Sequence, residues 1–186
     1  MNELKEYFNT ISIIEESTWD TILPYFKEER LLKNDYFVRE NKTAHQIAFL
    51  KTGVVRAFFI NQEGKEYNKQ FFVDQSMIGA YTSLLTGSVN LIAQQALTDC
   101  VMYSCEFSSL TKLYDEYPDL ERFARKIAEF YFLQKEKKEI EIVLLDAAQR
   151  YVLFKKEFPT LEQLIPQFHI ASYLGITATQ LSRIRK

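Results

Sequence analysis

The hydrophobic pattern of the chain changes once, near Ser108, and that change limits the folds the chain can adopt. Between Leu31 and Phe107, short runs of β-branched and aromatic residues are separated by Gly, Asn and Asp turns. Short strands at this spacing are typical of an antiparallel sandwich or barrel. After Ser108, apolar residues recur every three or four positions, as they do on amphipathic helices. The pattern therefore predicts an α+β protein whose β part precedes its main helices.

One turn in the β part is specific enough to predict a hairpin. Asn61-Gln62-Glu63-Gly64 separates two of the strand-like runs, and Gly64 can adopt the positive φ that a hairpin loop needs. Aromatic residues make up 15% of the chain, so even a modest barrel has large side chains to fill its core.

A long helix should follow the β part. Pro118 suits the first turn of a helix, and neither Gly nor Pro occurs again until Pro159. A helix of about 27 residues is roughly 40 Å long, which a small domain rarely covers alone. We therefore expect it to pair with a second copy of the chain, the alternative being a helix packed on its own barrel. The apolar stripe predicted for the dimer contact comprises Leu120, Phe123, Ile127, Phe130, Leu133, Ile140 and Leu144.

A break near Asp146 divides the helical part. Asp146 can cap a new helix that runs to about Glu157, before Pro159. These boundaries predict a β domain over residues 1–117, a dimerisation helix over 118–145 and a C-terminal domain over 146–186.

The segment from Gln167 to Lys186 has the spacing of a helix-turn-helix. Gly175 can end the first helix in a left-handed conformation, and Thr177 can cap the second helix. Ala171 is small where the second helix approaches the first. The positions where two steeply crossing helices touch are apolar: Ile170, Leu174, Ile176, Leu181 and Ile184. In the DNA-reading form of this motif, the second helix enters the major groove.

The outward face of the second helix predicts DNA as the partner. No acidic residue follows Glu162, and residues 150–186 carry a net charge of +4 although the whole chain carries −2. Arg183 can bind guanine, Gln180 can bind adenine, and the hydroxyls suit phosphate oxygens. The predicted DNA-contacting residues are Thr177, Ala178, Thr179, Gln180, Ser182, Arg183, Arg185 and Lys186. The alternative is a small-molecule-binding β domain whose terminal helical hairpin is structural or binds another protein.

Together these motifs give the whole chain a resemblance to the Crp/Fnr superfamily of bacterial transcription regulators. The segments that carry the resemblance are Phe49–Arg56, Asn61–Glu66, Ile78-Gly79, Tyr117-Pro118-Asp119 and the helix-turn-helix. The resemblance implies a jelly-roll (double-stranded β-helix) sensor, a dimer-forming helix and a winged helix-turn-helix that reads a palindromic operator. It also implies RNA polymerase as a further partner. The wing would be reduced to the stretch Phe158–Pro166.

The phosphate-binding cassette of that family is degenerate in this chain. Cyclic-nucleotide binders of the family use a Gly-Glu pair for the ribose and a later Arg, followed by Ser or Thr, for the cyclic phosphate. The matching positions here are Gly79-Ala80 and Asn90-Leu91, and those that would meet the purine are Lys135 and Glu136. Because burying a phosphate without a cation is costly, we expect no useful affinity for cyclic AMP. No cofactor is expected, and another small-molecule effector stays open.

The other chemistry-bearing residues predict neither an enzyme nor a metal site. His45 and His169 lie far apart in sequence, and Cys100 and Cys105 match no zinc or redox spacing. We expect His169, on the first helix of the motif, to be a packing or phosphate-side residue. The polar N-terminus lacks a signal-peptide pattern and no apolar run is long enough to span a membrane, so a cytoplasmic protein is expected.

Overall fold

The computed structural model describes residues 1–185, which begin with two helices and continue into a β domain. The helices are α1 (Asn2–Ile11) and α2 (Glu16–Ile22), and a short 3₁₀ helix follows at Leu23–Tyr25. The strands are β1 (Lys27–Leu31), β2 (Tyr36–Val38), β3 (Gln46–Thr52), β4 (Val55–Ile60), β5 (Glu66–Phe72), β6 (Ser76–Ile78), β7 (Ala93–Ala96) and β8 (Cys100–Glu106). Helix α3 (Tyr81–Thr86) lies between β6 and β7.

These strands form two four-stranded antiparallel sheets of a jelly roll. One sheet has the strand order β1-β8-β3-β6 and the other has the order β2-β7-β4-β5. Leu50, Val55, Ile78 and Met102 belong to an almost fully buried core that draws on both sheets. The predicted hairpin joins β4 to β5, with Gly64 at a φ of 77°. The predicted fold class is thus confirmed.

Further helices make up the rest of the chain. They are α4 (Phe107–Thr111), α5 (Pro118–Leu144), α6 (Ala147–Glu157), α7 (Leu161–Leu164), α8 (Gln167–Leu174) and α9 (Ala178–Ile184). Pro118 is the first residue of α5, as the sequence predicts. Asp146 caps α6 through a reciprocal pair of hydrogen bonds with Gln149, which satisfies backbone N–H groups that the helix itself leaves unpaired.

The stretch Phe158–Pro166 contains a helix instead of the expected reduced wing. Helix α7 occupies it, and within residues 1–185 no strand follows Glu106. Leu161 and Ile165 are four residues apart, and both are buried in the C-terminal core. That spacing puts both side chains on one side of a helical turn, whereas a strand would alternate its faces every second residue.

The predicted apolar stripe of α5 is divided between two environments. Leu120, Phe123 and Ile127 are buried in the same core as α1, and the rings of Phe8 and Phe123 stack at a centroid distance of 3.7 Å. These three residues are therefore core residues, and assigning them to a dimer contact is wrong. The reason is that α1 covers the first half of α5. The other members of the stripe, Phe130, Leu133, Ile140 and Leu144, are exposed.

The part of the chain that the structure describes contains neither a membrane-spanning helix nor a cluster of metal-binding side chains. None of its helices is both long enough and apolar enough to cross a bilayer. Residues 1–185 also contain no group of three His, Cys, Asp or Glu side chains placed to hold a metal ion. Cys100 and Cys105 are free and buried, and burial raises the pKa of Cys105 to about 12, so its thiol is unreactive at neutral pH.

The stack on Phe123 predicts a large stability difference between two aromatic residues of α5. Phe123→Ala should lower the free energy of unfolding by about 3–5 kcal/mol, because it leaves a cavity in the core. Phe132→Ala, on the exposed side of the helix, should change it by less than about 1 kcal/mol. Urea unfolding followed by circular dichroism measures both values. Equal effects would contradict this assignment of the helix faces.

Candidate nucleic-acid interface

Helices α8 and α9 form the predicted helix-turn-helix. Gly175 ends α8 in the left-handed conformation, at a φ of 69°, and the amide of Ile176 donates to the carbonyl of Ala171. Thr177 caps α9 in a capping box with Gln180. Leu181 on α9 is fully buried in a core that also contains Ile170 of α8, so the two helices hold each other at a fixed angle.

The outer face of α9 is exposed along its length. Of the predicted DNA-contacting residues, Thr177, Ala178, Thr179, Gln180, Ser182, Arg183 and Arg185 are all exposed. Lys186, the eighth, lies outside the residues that the structure describes. The structure thus brings the predicted residues onto one surface that carries hydroxyls and cations.

Three of these side chains, those of Thr177, Gln180 and Arg185, already have partners in the protein. The Oε1 atom of Gln180 accepts hydrogen bonds from the amide and the hydroxyl of Thr177, at 2.9 and 3.1 Å. Arg185 pairs with Glu162 of α7, with 3.3 Å between Nε and Oε1. Reading adenine through Gln180 would therefore require it to leave the capping box. Ala178, Thr179, Ser182 and Arg183 are better placed to meet DNA without rearrangement.

The helix-turn-helix packs against the sheet β2-β7-β4-β5 of the β domain. Phe71 on the outer face of β5 contacts three rings of the C-terminal part, with centroid distances of 5.1 Å to Tyr173, 6.0 Å to Phe158 and 6.3 Å to Phe154. Val54 and Leu97 of the β domain belong to the same buried cluster. The core of the C-terminal domain is therefore completed by the jelly roll.

A buried polar network lies beside this apolar contact. Arg56 of β4 is 4% exposed, and its guanidinium binds the carboxylate of Glu66 at 2.5 Å and Oε1 of Gln95 at 2.7 Å. The same guanidinium lies 3.2 Å from Nδ1 of His169 on α8. Burying a cation is costly unless its donors are used; Glu66 and Gln95 use them within the β domain, and His169 is the partner across the domain boundary. Arg56, Glu66 and Gln95 were not predicted as functional residues.

Asn68 and Ser172 add direct hydrogen bonds between β5 and α8. The amide of Asn68 donates to Oγ of Ser172 at 3.0 Å, and that hydroxyl donates to the carbonyl of Glu66 at 2.8 Å. The side-chain amide of Asn68 donates to the carbonyl of His169 at 2.9 Å. These three bonds fix the position of α8 along the strand.

His169 is a packing residue, one of the two roles expected for it. Burial, and then the guanidinium of Arg56, lower its pKa from the ordinary 6.5 to about 4. At neutral pH the ring is uncharged, so Nδ1 can accept a hydrogen bond from Arg56 when the ring proton is on Nε2. Protonation would place a second positive charge beside a buried guanidinium.

The long helix α5 also holds the C-terminal domain. The ammonium group of Lys138 lies over the ring of Tyr173, and burial lowers the pKa of Lys138 to about 7. A cavity of about 20 Å³ beside it, lined partly by Glu141, Arg150 and Glu157, is large enough for about one water molecule. The helix-turn-helix is therefore fixed from two sides, by β5 and by α5.

The residues predicted as a degenerate cassette form a closed, internally bonded loop. A Cβ atom on Gly79 would lie 3.3 Å from Leu84, so side chains already fill the space above it. Asn90 is buried, and its side-chain carbonyl accepts from the amide of Ile92. The neighbouring Ala80 is also buried, whereas Leu91 is exposed. The side chain of Asn90 is therefore used within the loop.

Lys135 and Glu136, at the positions that would meet the purine in a cyclic-nucleotide binder of the resembling family, are exposed on α5. Lys135 pairs with Glu139 at 3.5 Å, one turn further along the helix. Both residues therefore belong to the solvent-exposed surface of the helix. A groove with a volume of about 370 Å³ lies elsewhere, between β5 and the helix-turn-helix.

Within the β domain, residues 28–117 match the cyclic nucleotide-binding domain family. No curated protein is detectably similar in sequence. Among solved structures, FixK2 from Bradyrhizobium japonicum has a TM-score of 0.77 at 19% identity, over 86% of this chain and 82% of that one.

Two further structures extend the likeness through the C-terminal helices. A proposed transcriptional regulator of the Crp/Fnr family from Eubacterium rectale has a TM-score of 0.74 at 14% identity, over 99% of this chain and 86% of that one. A mutant of CooA from Carboxydothermus hydrogenoformans has a TM-score of 0.69 at 18% identity, over 88% and 76% of the two chains. The whole chain therefore has the Crp/Fnr fold, as its sequence predicts.

The position of His169 in this Crp/Fnr fold predicts an acid-dependent loss of stability. The unfolded chain takes up a proton on His169 below pH 6.5, whereas the folded chain resists it until about pH 4. The stabilisation is thus fully present above pH 6.5 and is lost as the pH falls towards 4. His169→Gln, which keeps an acceptor but does not titrate, should lose less stability over this range. Urea unfolding of both proteins at several pH values measures the difference, and parallel curves would contradict the assignment.

Proposed function

We propose that this chain is a transcription regulator that binds double-stranded DNA through α9. The observation that supports this most is the exposed outer face of α9, held outward by the packing of α8 on β5. The face presents Arg183, Ser182 and Thr179 and contains no acidic side chain. A bacterial DNA partner would also place the protein in the cytoplasm, as predicted.

The chemistry of this face suits both parts of DNA recognition. Arg183 can donate two hydrogen bonds to the major-groove edge of guanine, which is the commonest specific contact. Thr179 and Ser182 can donate to phosphate oxygens, which position the helix without reading sequence. The net charge of +4 on residues 150–186 favours approach to a polyanion although the chain as a whole is negative.

Selection of the purified protein on a random duplex pool, followed by sequencing, tests this function. We expect enrichment of a palindromic motif. On the enriched duplex, Arg183→Ala should cost about 1–3 kcal/mol and relax the preference at one position of each half-site. Arg122→Ala, an exposed arginine near the start of α5, is the control and should bind as the parent does. If no motif is enriched, or if Arg183→Ala binds the enriched duplex as tightly as the parent does, the proposed function is wrong.

We further propose that the protein is a homodimer joined by the second half of α5. Phe130, Leu133, Ile140 and Leu144 are at least half exposed there, and Val143 is 81% exposed. Their spacing by three, four and seven residues forms one stripe, which a second copy related by a two-fold axis can cover. A two-fold dimer reads two half-sites about one helical turn apart, which is why a palindrome is expected.

An acidic residue in this stripe should separate the protomers. Ile140→Glu would bury a carboxylate between the helices, so we expect it to be monomeric in sedimentation equilibrium where the parent is dimeric. Ile13→Glu is a matched control, because Ile13 is equally apolar and 78% exposed but lies outside α5. A parent protein that is monomeric at all concentrations would refute the dimer.

We also propose that the sensor domain does not bind cyclic AMP with useful affinity, although residues 28–117 match a family that is named for cyclic-nucleotide binding. Ala80 and Asn90 replace the carboxylate and the cation of the cassette, and Asn90 is used within the loop. Calorimetric titration with cyclic AMP should give only heats of dilution. Binding in the micromolar range would overturn this proposal.

A further inference from the structure

The groove between the sensor domain and the helix-turn-helix has one wall on each. One wall is formed by Lys65, which directly precedes β5, and by the first three residues of β5, Glu66 to Asn68. The other contains Gly175 and Ile176 of the turn and Ala178, the first residue of α9. The groove therefore runs beside the helix that is proposed to enter the major groove of DNA, and its far wall belongs to the β4–β5 hairpin.

This hairpin is held rigidly relative to α9. Ser172 of α8 is hydrogen-bonded both to the amide of Asn68 and to the carbonyl of Glu66. The ring of His169 lies against Arg56 on the adjacent strand. Lys65, which directly precedes β5, is thus carried at a fixed position relative to the recognition helix.

Lys65 provides the exposed positive charge on this wall. Its ammonium group lies 5.1 Å from the ring centre of Tyr67 and is open to solvent. The adjacent Glu66 is the acid that lines the groove, and its carboxylate is neutralised by the buried guanidinium of Arg56. Glu63, at the tip of the hairpin, does not line the groove. The wall next to α9 therefore presents a cation with its nearest acid already paired.

We propose that the β4–β5 hairpin is a second DNA-binding element, in which Lys65 contacts a backbone phosphate beside the site of α9. This inference rests on the proposed function and adds a phosphate contact from the sensor domain. A hairpin beside a helix-turn-helix is the arrangement of a winged motif, but here the hairpin comes from the jelly roll. The sensor would then contribute to affinity directly, besides positioning α8.

The salt dependence of DNA binding tests this contact. Each phosphate that a lysine neutralises contributes about 0.9 to the slope of log affinity against log salt concentration on duplex DNA. Lys65→Ala should therefore reduce the slope by about one for each protomer bound, without changing the preferred sequence. Lys65→Arg should keep the parent slope, and Lys65→Glu should weaken binding further. Fluorescence anisotropy on the enriched duplex, from low to moderate salt, gives these slopes.

The control is Lys112→Ala, an exposed lysine just after α4, a helix that packs into the core around α1 and not into the C-terminal core. It should leave the slope unchanged. If Lys65→Ala keeps the parent slope while Arg183→Ala weakens binding, the hairpin contact is wrong and the proposed function stands. If the parent protein enriches no DNA, both fail. Matching thermal midpoints for Lys65→Ala and the parent show that the variant is folded.

Discussion

Phe71 of β5 packs among Phe154, Phe158 and Tyr173, and the arrangement of the C-terminal half depends on that contact. Large aromatic side chains bury more apolar area than other residues, so removing a cluster of four from water is a strong driving force. A C-terminal segment of about forty residues is too small to bury such a core well on its own. By sharing Val54, Phe71 and Leu97 with the jelly roll, it gains a complete core and a fixed orientation.

The polar network around Arg56 gives that contact its register. An apolar interface alone tolerates sliding, but here α8 must place His169 beside the guanidinium that Glu66 and Gln95 hold within the β domain, and Ser172 beside Asn68. With α8 fixed in this way, the outer face of α9 is left exposed, and the start of β5 lies beside it. In the loop at the cassette positions, the side-chain carbonyl of Asn90 is used by the amide of Ile92. The β domain is thus understood best as a scaffold that positions the helix-turn-helix.

Local signals in the sequence were enough to predict some parts of this structure. Asp146, Gly175 and Thr177 each satisfy backbone groups within a few residues, so the breaks around α6 and α9 could be found without knowing the fold. Long-range features could not be found in this way. Arg56 and His169 are 113 residues apart, and such a pair leaves no periodic pattern. The apolar residues of α5 recur every three or four positions with one seven-residue gap, and this spacing does not show that α1 covers Phe123 and leaves Phe130 exposed. Likewise, Phe158–Pro166 was expected to form a wing because of its position in a resembling family, whereas the spacing of Leu161 and Ile165 favours a helix.

If the helix-turn-helix and the jelly roll share one core, they should unfold together. Cooperative unfolding tests this most directly. Trp19 is the one tryptophan of the chain and lies buried in the core around α1, so its fluorescence reports on the sensor half. A Trp19→Phe protein that also carries Phe154→Trp would report on the C-terminal core. In both proteins, we expect the urea transition measured by fluorescence to coincide with the transition measured by far-ultraviolet circular dichroism. A tryptophan at position 154 that becomes exposed at clearly lower urea than the rest of the protein would contradict it, because the C-terminal domain would then unfold separately from the sensor.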